Sequence, residues 1–395
     1  MSWIALQMLT GDRAKFFGIV LGLTFAALLI MQQGSIFCGL MRRTAGQIID
    51  ITGADLWVMD PNVRHVDDVK PMIENSLYRV RGVDGVLWAV PLYKGQGRAK
   101  INSYDRLGQK QEVIEQVILI GLDDSSMVGS PPPERILAGS REALRRPDAI
   151  LIDKNRLSKL FPNQRPEVYG NYDWFIGKEL EMNDHRAIIV GVCEATRTFQ
   201  SNPVVYTTYS RAKLFAPQER KILSYVLAKT EPGRKPEDVA ETIRRQTGLG
   251  AATSEQFIWK TMGYYFKYTG IPINFGITAA LGFLVGTAIA GQTFYNFTLE
   301  NLKQFGALKA MGATNLKIVQ MILLQATVVG LLGYGIGVGL GAVFGSLNEG
   351  TELAFFPYWP IMPITAVAVV LICILASLVS VRRVIVLEPA VVFRG

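Results

Sequence analysis

Two histidines, His65 and His185, are the only imidazoles in this sequence; they stand far apart, and neither has a Cys or another His nearby. A transition-metal centre needs clustered nitrogen and sulfur ligands, and hydrolytic chemistry needs a base set beside its nucleophile. Surface or strand-edge positions are therefore expected for both. Of the cysteines, Cys38 and Cys373 fall in apolar stretches and only Cys193 in polar sequence, which leaves no intrachain disulfide framework. No G-x-x-x-x-G-K-[ST] loop is present to cradle a phosphate, and the nearest glycine-basic stretch, Gly95-Gln96-Gly97-Arg98-Ala99-Lys100, has the wrong spacing. The expectation is a non-catalytic chain that binds no metal or cofactor and leaves any ATP and Mg to another subunit.

The remaining patterned residues are glycines and amides. Gly333, Gly337, Gly341 and Gly345 repeat at every fourth residue, as do Gly282, Gly286 and Ala290. A dinucleotide fingerprint would need a preceding strand and a ribose-binding acid, whereas these glycines sit in uninterrupted apolar sequence. They read as helix faces that let a second backbone approach closely. Gln32 and Gln33, and Gln292 and Asn296 one turn apart, also lie in apolar stretches, where an amide facing lipid is costly. Interhelical hydrogen bonds are the expected role, with a polar substrate path as the sharper alternative.

The elements that must position these residues are membrane helices. Phe16–Leu40, Thr269–Leu299, Ile318–Asn348 and Leu353–Val381 contain no charged residue, and each exceeds the roughly 20 apolar residues needed to cross a hydrocarbon core. The first is too long for a signal peptide and is expected to be retained. Arg42–Lys260 is charged and mixed in pattern, with short alternating runs that read as strands. The fold class is thus an α-helical membrane protein with four transmembrane helices plus a large α+β extracytoplasmic domain inserted between helices 1 and 2.

Along the chain, residues 1–11 are expected to form a cytoplasmic interfacial helix and 12–40 transmembrane helix 1, opened by Asp12 as N-cap. Residues 41–268 form the extracytoplasmic domain with stalk helices at both ends. Trp259, Tyr264, Tyr265, Phe266 and Tyr268 of the second stalk suit a headgroup-level belt, and Gly270 and Pro272 a kink. Residues 269–297 form helix 2, 298–316 a short cytoplasmic helix, 317–347 helix 3, 348–360 a short outer loop, 361–381 helix 4 and 382–395 a cytoplasmic tail. Arg13 and Lys15, then Lys303, Lys309 and Lys317, then Arg382, Arg383 and Arg394 flank the spans on one side, which places both termini in the cytoplasm. Arg42 and Arg43 lie on the other side, but they open a long domain and weigh less. The net charge of +8 forms no block, so solubility and lipid headgroups account for it better than nucleic acid.

Between the second and third spans the chain reads TLENLKQFGALKAMGATNLK. Leu302, Phe305 and Leu308 recur at helical spacing, Lys303 and Lys309 flank them, and Gly312 ends the pattern. A short helix of this kind can plug a partner's groove with its apolar face while its charges set register; resting on lipid is the plainer reading. The stretch resembles the E-x-x-[KR]-[EQ]-[IF]-G-x-[LM]-[KR]-A-[LIM]-G-A signature of the MacB/FtsX-type ABC transporter permeases, with Gln304 where Glu is commoner. The resemblance implies that Glu300, Lys303, Gln304, Phe305, Gly306, Leu308, Lys309 and Gly312 form a coupling helix seated in a partner ATPase.

Further similarity lies in Val80–Pro91, Asp153–Phe161, Ile176–Leu180, Ile188–Val192 and the tail Leu387–Arg394, while Ala54–Met59 and Phe199–Thr207 look closest to the DevC-like branch. The resemblance implies the permease of an exporter in a bacterial inner (plasma) membrane. It implies a homodimer with two copies of an ABC ATPase that carry the ATP and Mg. It also implies a periplasmic membrane-fusion adaptor, a TolC-like outer-membrane channel and a lipid-like or hydrophobic cargo. An FtsX-like device that activates a cell-wall hydrolase, or a lipoprotein-extracting complex, would use the same strokes differently.

Overall fold

Helices α1 (Ser2–Gly11), α2 (Arg13–Thr44) and α3 (Gly46–Asp50) open the chain, followed by β1 (Leu56–Met59), α4 (Asn75–Arg81), β2 (Val86–Tyr104) and β3 (Lys110–Leu122). Next come β4 (Ile136–Gly139), β5 (Ala149–Asp153), α5 (Leu157–Leu160), β6 (Glu179–Met182), β7 (His185–Cys193) and β8 (Val204–Thr208). Then follow α6 (Tyr209–Phe215), β9 (Tyr225–Thr230), α7 (Pro236–Thr247), β10 (Gly250–Thr253) and α8 (Ser254–Tyr268). The chain closes with α9 (Ile271–Glu300), α10 (Leu302–Ala310), α11 (Asn315–Leu347) and α12 (Ile361–Val386). This computed structural model describes residues 2–104, 110–155, 157–161, 170–217, 222–348 and 351–386. The similarity noted for Leu387–Arg394 therefore lies outside the described residues. Two units emerge, one of Met1–Leu40 with Gly270–Gly395 and one of Met41–Thr269.

In the first unit, α2, α9, α11 and α12 are long and apolar enough to cross a membrane. The carboxylate of Asp12 accepts a hydrogen bond from the Lys15 N–H at 3.2 Å and so caps α2. The glycine repeat of α11 lies against a matching repeat on α2. A Cβ at Gly333 would stand 2.6 Å from Leu23 Cβ, one at Gly337 2.7 Å from Ala27 Cβ and 2.8 Å from Thr24 O, and one at Gly341 3.0 Å from Met31 Sδ. Gly345 meets the Phe355 ring, Gly286 meets Ala26 of α2, and a Cβ at Gly282 would stand 3.2 Å from Leu29 Cβ. Lipid tails are as apolar as leucine, so van der Waals contact at this close range holds these helices together. Gln325, buried on α11, donates to the Ala5 carbonyl at 2.7 Å and ties α1 to the bundle. After α11, the chain returns along α2, where Phe356 N–H donates to Ser35 O at 3.0 Å. Gln32 and Gln33 are half-buried, while Gln292 and Asn296 are exposed.

The second unit is built on a ten-stranded sheet in the order β10-β1-β9-β2-β3-β8-β5-β7-β4, with β6 paired to β2 and β7. Its pairs are antiparallel except β3 with β8 and β5 with β7. The long β2 serves two neighbourhoods: Val86–Leu92 pairs with β9, and from Tyr93 onward it pairs with β3. Period-two alternation sends side chains to two separate cores. Leu56 and Val58, Ile150 and Ile152, and Val205 enter one, together with Val80 of α4, Ala212 of α6 and Ile243 of α7. Trp57 and Met59, Ala149 and Leu151, and Val204 and Tyr206 enter the other, with Ile48 of α3 and Phe257 of α8. Where short alternating runs were expected, the central strands are covered on both faces and are buried at nearly every residue.

Both stalk helices are fastened to this second core face. Thr253 and Gln256 form a reciprocal capping box at the start of α8, with Gln256 N–H donating to Thr253 Oγ1 at 3.1 Å. Tyr264 and Tyr265, expected in a headgroup belt, pack on the domain instead: Tyr264 stacks on His65 at 4.3 Å, and Tyr265 meets Phe199 at 5.0 Å. Trp259, Phe266 and Tyr268 remain exposed. The expected kink is a full break, because Thr269 is extended and α9 restarts at Ile271 with Pro272 in its first turn. Asp50, at the end of α3, accepts from Arg135 Nη1 at 2.7 Å, Thr196 N–H at 2.6 Å and Thr196 Oγ1 at 2.5 Å.

Asp153 is buried at the end of β5, where its carboxylate accepts from Asn155 Nδ2 at 2.9 Å and Ala195 N–H at 3.1 Å. Burial pushes it up to about 7 despite these donors. A carboxyl raised in the folded state is protonated in both states at low pH. As the pH climbs from its ordinary 3.8 to about 7 the unfolded chain ionises first, so this group erodes stability over that window. The expected outcome is a wild-type melting temperature that falls between about pH 5 and about pH 7, and a smaller fall in Asp153→Asn, read by thermal unfolding in detergent. A second expectation concerns the glycine face. Gly337→Val should cost about 1–3 kcal/mol through overpacking, whereas Gly335→Val, which meets open space, should be nearly neutral in the same assay.

Candidate coupling site

The segment between α9 and α11 is rigidly built. Asn301 separates α9 from α10; its Nδ2 donates to Phe297 O at 2.8 Å, and its carbonyl accepts from Phe305 N–H at 3.0 Å. At the other end Gly312 adopts φ +93, Gly312 N–H donates to Lys309 O at 2.9 Å and Ala313 N–H donates to Leu308 O at 2.9 Å. This is a Schellman motif, and only glycine takes that backbone conformation without strain. Thr314 then caps α11 by accepting from Lys317 N–H at 3.4 Å.

The apolar face of α10 is turned inward. Phe305 and Leu308 are buried with Ala5 of α1, Ile318, Met321 and Ile322 of α11 and Val384 of α12, and Met8, Leu302, Ala313 and Val381 pack around them. Gly306 is buried as well. The expected plug, with its apolar face in a partner's groove, is therefore not the geometry found. That face belongs to the chain's own core, and a second chain would meet Lys303, Gln304, Met311 and Leu316, of which Met311 is 75% and Leu316 67% exposed.

Two of the signature charges are also committed within the chain. Lys309 Nζ donates to two carbonyls of α12, Val384 O at 2.8 Å and Ile385 O at 3.0 Å. Glu300 pairs with Lys15 of α2, whose ammonium also holds Asp12 at 2.6 Å. An exposed pair of this kind contributes little on its own, so its effect is geometric, joining the start of α2 to the end of α9. Spacing alone could not separate Lys309 from Lys303, because both flank the same apolar stripe; the α12 carbonyls that distinguish them are far away in sequence.

Removing the donor while keeping the aliphatic stem isolates this contact. Lys309→Met should lower stability by about 1–2 kcal/mol by removing the charged donor from the two α12 carbonyls, and Lys309→Arg should recover most of it. Thermal unfolding in detergent reads both.

Comparison with known proteins agrees with this architecture. Residues 16–246 match the MacB-like periplasmic core domain, and residues 252–389 match the FtsX-like permease C-terminal family. An uncharacterized ABC transporter permease of Methanocaldococcus jannaschii is 24% identical over 183 residues, a match that covers 44% of this chain and 44% of that protein. Two solved structures are also similar. The extracellular domain of the noncanonic ABC-type transporter YknZ from Gram-positive bacteria is 16% identical, with a TM-score of 0.33, covering 51% of this chain and 98% of that one. The periplasmic region of MacB from Actinobacillus actinomycetemcomitans is 14% identical, with a TM-score of 0.35, covering 56% and 96%. With one family spanning more than half of the sequence and the other most of the remainder, the chain belongs to the MacB/FtsX-type ABC transporter permeases.

Proposed function

We propose that this chain is the membrane subunit of an ABC exporter in which two copies of it engage two copies of a separate ATPase that carries the ATP and Mg. The carrying observation is the build of α10, a short capped helix whose inner face is fixed to α1, α11 and α12 and whose outer face is free. A push on Lys303, Gln304 and Met311 would reach α12 through Lys309, α2 through the Glu300–Lys15 pair, and α9 and α11 through the backbone. Packed interfaces of this sort switch between discrete arrangements instead of deforming softly.

In this reading α10 and both termini are cytoplasmic, supported by the basic flanks, and Met41–Thr269 is extracytoplasmic. The cargo is lipid-like or hydrophobic and passes to a membrane-fusion adaptor and a TolC-like channel. That part rests on the resemblance of Ala54–Met59 and Phe199–Thr207 to the DevC-like branch.

Because Lys303 and Met311 are exposed and outside the core, a Lys303→Glu/Met311→Asp pair tests docking without unfolding the site. The expected outcome is loss of the copurifying ABC ATPase and of permease-stimulated ATP hydrolysis, with thermal stability unchanged. Full copurification and full stimulation by the double variant would overturn the docking assignment.

A further inference from the structure

A cleft of about 450 Å³ opens in the second unit where the long strand β2 changes neighbours. Leu92 is the last residue of β2 paired with β9, and Tyr93 is the first paired with β3. Just past that parting, Lys94 N–H donates to Ser224 Oγ at 2.9 Å, and the Ser224 hydroxyl donates back to Lys94 O at 3.0 Å. Lys94 is thereby pinned where the sheet divides. Its side chain is only 6% exposed and its Nζ donates to Asp67 Oδ1 at 2.6 Å, whereas the Asp67 side chain is 35% exposed.

An ammonium carries three donors, and among the described residues Asp67 is the one partner of Lys94 Nζ. The other oxygen of Asp67 is loosely held, 3.5 Å from the Tyr265 hydroxyl. A buried cation with donors to spare thus stands beside a carboxylate with an oxygen to spare, and both line the same cleft. Phe199 and the aliphatic Val69, Ile118 and Ile222 form other parts of its wall. The volume falls within the roughly 300–1,000 Å³ of small-molecule sites.

The charge pair selects the ligand. A lone anion would meet Lys94 but be repelled by Asp67, and a lone cation would suffer the reverse. A neutral ligand would strip water from both charges and return no countercharge to either, which is costly in a recess. A zwitterion answers both at once. Because the two protein charges touch, the ligand's charges must also be close neighbours, and an α-amino acid sets a single carbon between its ammonium and its carboxyl group. The Phe199 ring offers a face to the ammonium, and Val69, Ile118 and Ile222 offer apolar surface to an aliphatic side chain.

We propose that this cleft binds a free α-amino acid with an aliphatic side chain, its carboxylate on Lys94 and its ammonium on Asp67. The site lies wholly within Met41–Thr269 and is independent of the docking reading of α10. Asp67 and Phe199 both touch Tyr265 of α8, so the occupant rests against groups that hold the stalk.

Calorimetric titration of the full-length protein in detergent tests this, with L-valine and L-leucine as probes. Saturable binding of at least one of them is expected. Isocaproate and isoamylamine, which lack the ammonium and the carboxylate of leucine in turn, should bind more weakly by about tenfold or more. Lys94→Met and Asp67→Asn should each weaken the amino acid by a similar factor, with circular dichroism establishing that both variants fold. Should Lys94→Met fail to fold, the accessible Asp67 and the ligand series on the wild-type chain still decide. The proposal is overturned by no saturable heat with either amino acid, by equal affinity for isocaproate or isoamylamine, or by an unchanged affinity in Asp67→Asn. Binding of glucose or glycerophosphoethanolamine in place of the amino acids overturns it as well, since each reports a different ligand class.

Discussion

The approach of α11 to α2 is the constraint on which the membrane unit depends. Inside a bilayer no hydrophobic force drives helices together, so their association rests on how closely their surfaces can come. Here Gly333, Gly337 and Gly341 meet Leu23, Ala27 and Met31, one four-residue repeat laid on another; a methyl at Gly333 or Gly337 would strike the facing Cβ and crowd backbone, and one at Gly341 would press on the Met31 thioether. With α2 and α11 set in this way, Ala290 and Phe294 of α9 and Val369, Ile372 and Ala376 of α12 complete the same core. The ends of α11 and α12 nearest α10 then converge with α1 on a second cluster under α10. Close packing above thus gives α10 a firm base below.

The second unit uses a different device. Its strands hide both faces, sending odd and even residues to separate cores, and the two cores have different tenants. One is covered by α4, α6 and α7, the other by α3 and α8, the helices that continue toward the spans. A polar joint reinforces the second: Asp50 gathers Arg135 and Thr196 at the end of α3. The buried Asp153 lies near it and is held against the cost of burial by Asn155 and Ala195. Both stalks are therefore rooted in one hydrophobic layer of the domain.

Much of this was legible in the sequence, and the limits are physical. Span existence followed from uncharged length, and the glycine faces from four-residue spacing, because both are local periodicities. The short helix around Phe305 was equally visible, as was its end at Gly312. What periodicity could not reveal was where its apolar stripe would go, since an amphipathic helix looks the same whether its partner is another chain or its own α11 and α12. The same blindness covered Lys309, whose acceptors are carbonyls at Val384 and Ile385, and Gln325, whose acceptor is Ala5. Two of the five aromatics of the second stalk departed from expectation for a related reason: Tyr264 has the chemistry of a headgroup anchor, but His65 offered it a ring to stack on, and Tyr265 meets Phe199. The sheet order, with β3 beside β8 and β5 beside β7, depends on long-range pairing that no window of residues contains.

The turn at Gly312 separates two demands that usually compete. The angle at which α10 meets α11 is held by backbone bonds from Gly312 and Ala313 and by side chains that face inward. None of the outward residues, Lys303, Gln304 or Met311, is needed to hold it. If α10 docks an ATPase as proposed, their identity can drift as the facing protein changes, while the helix beneath keeps its shape. On that proposal, fidelity between the permease and its energy source can be rewritten at a handful of surface positions without reopening the question of whether the chain folds.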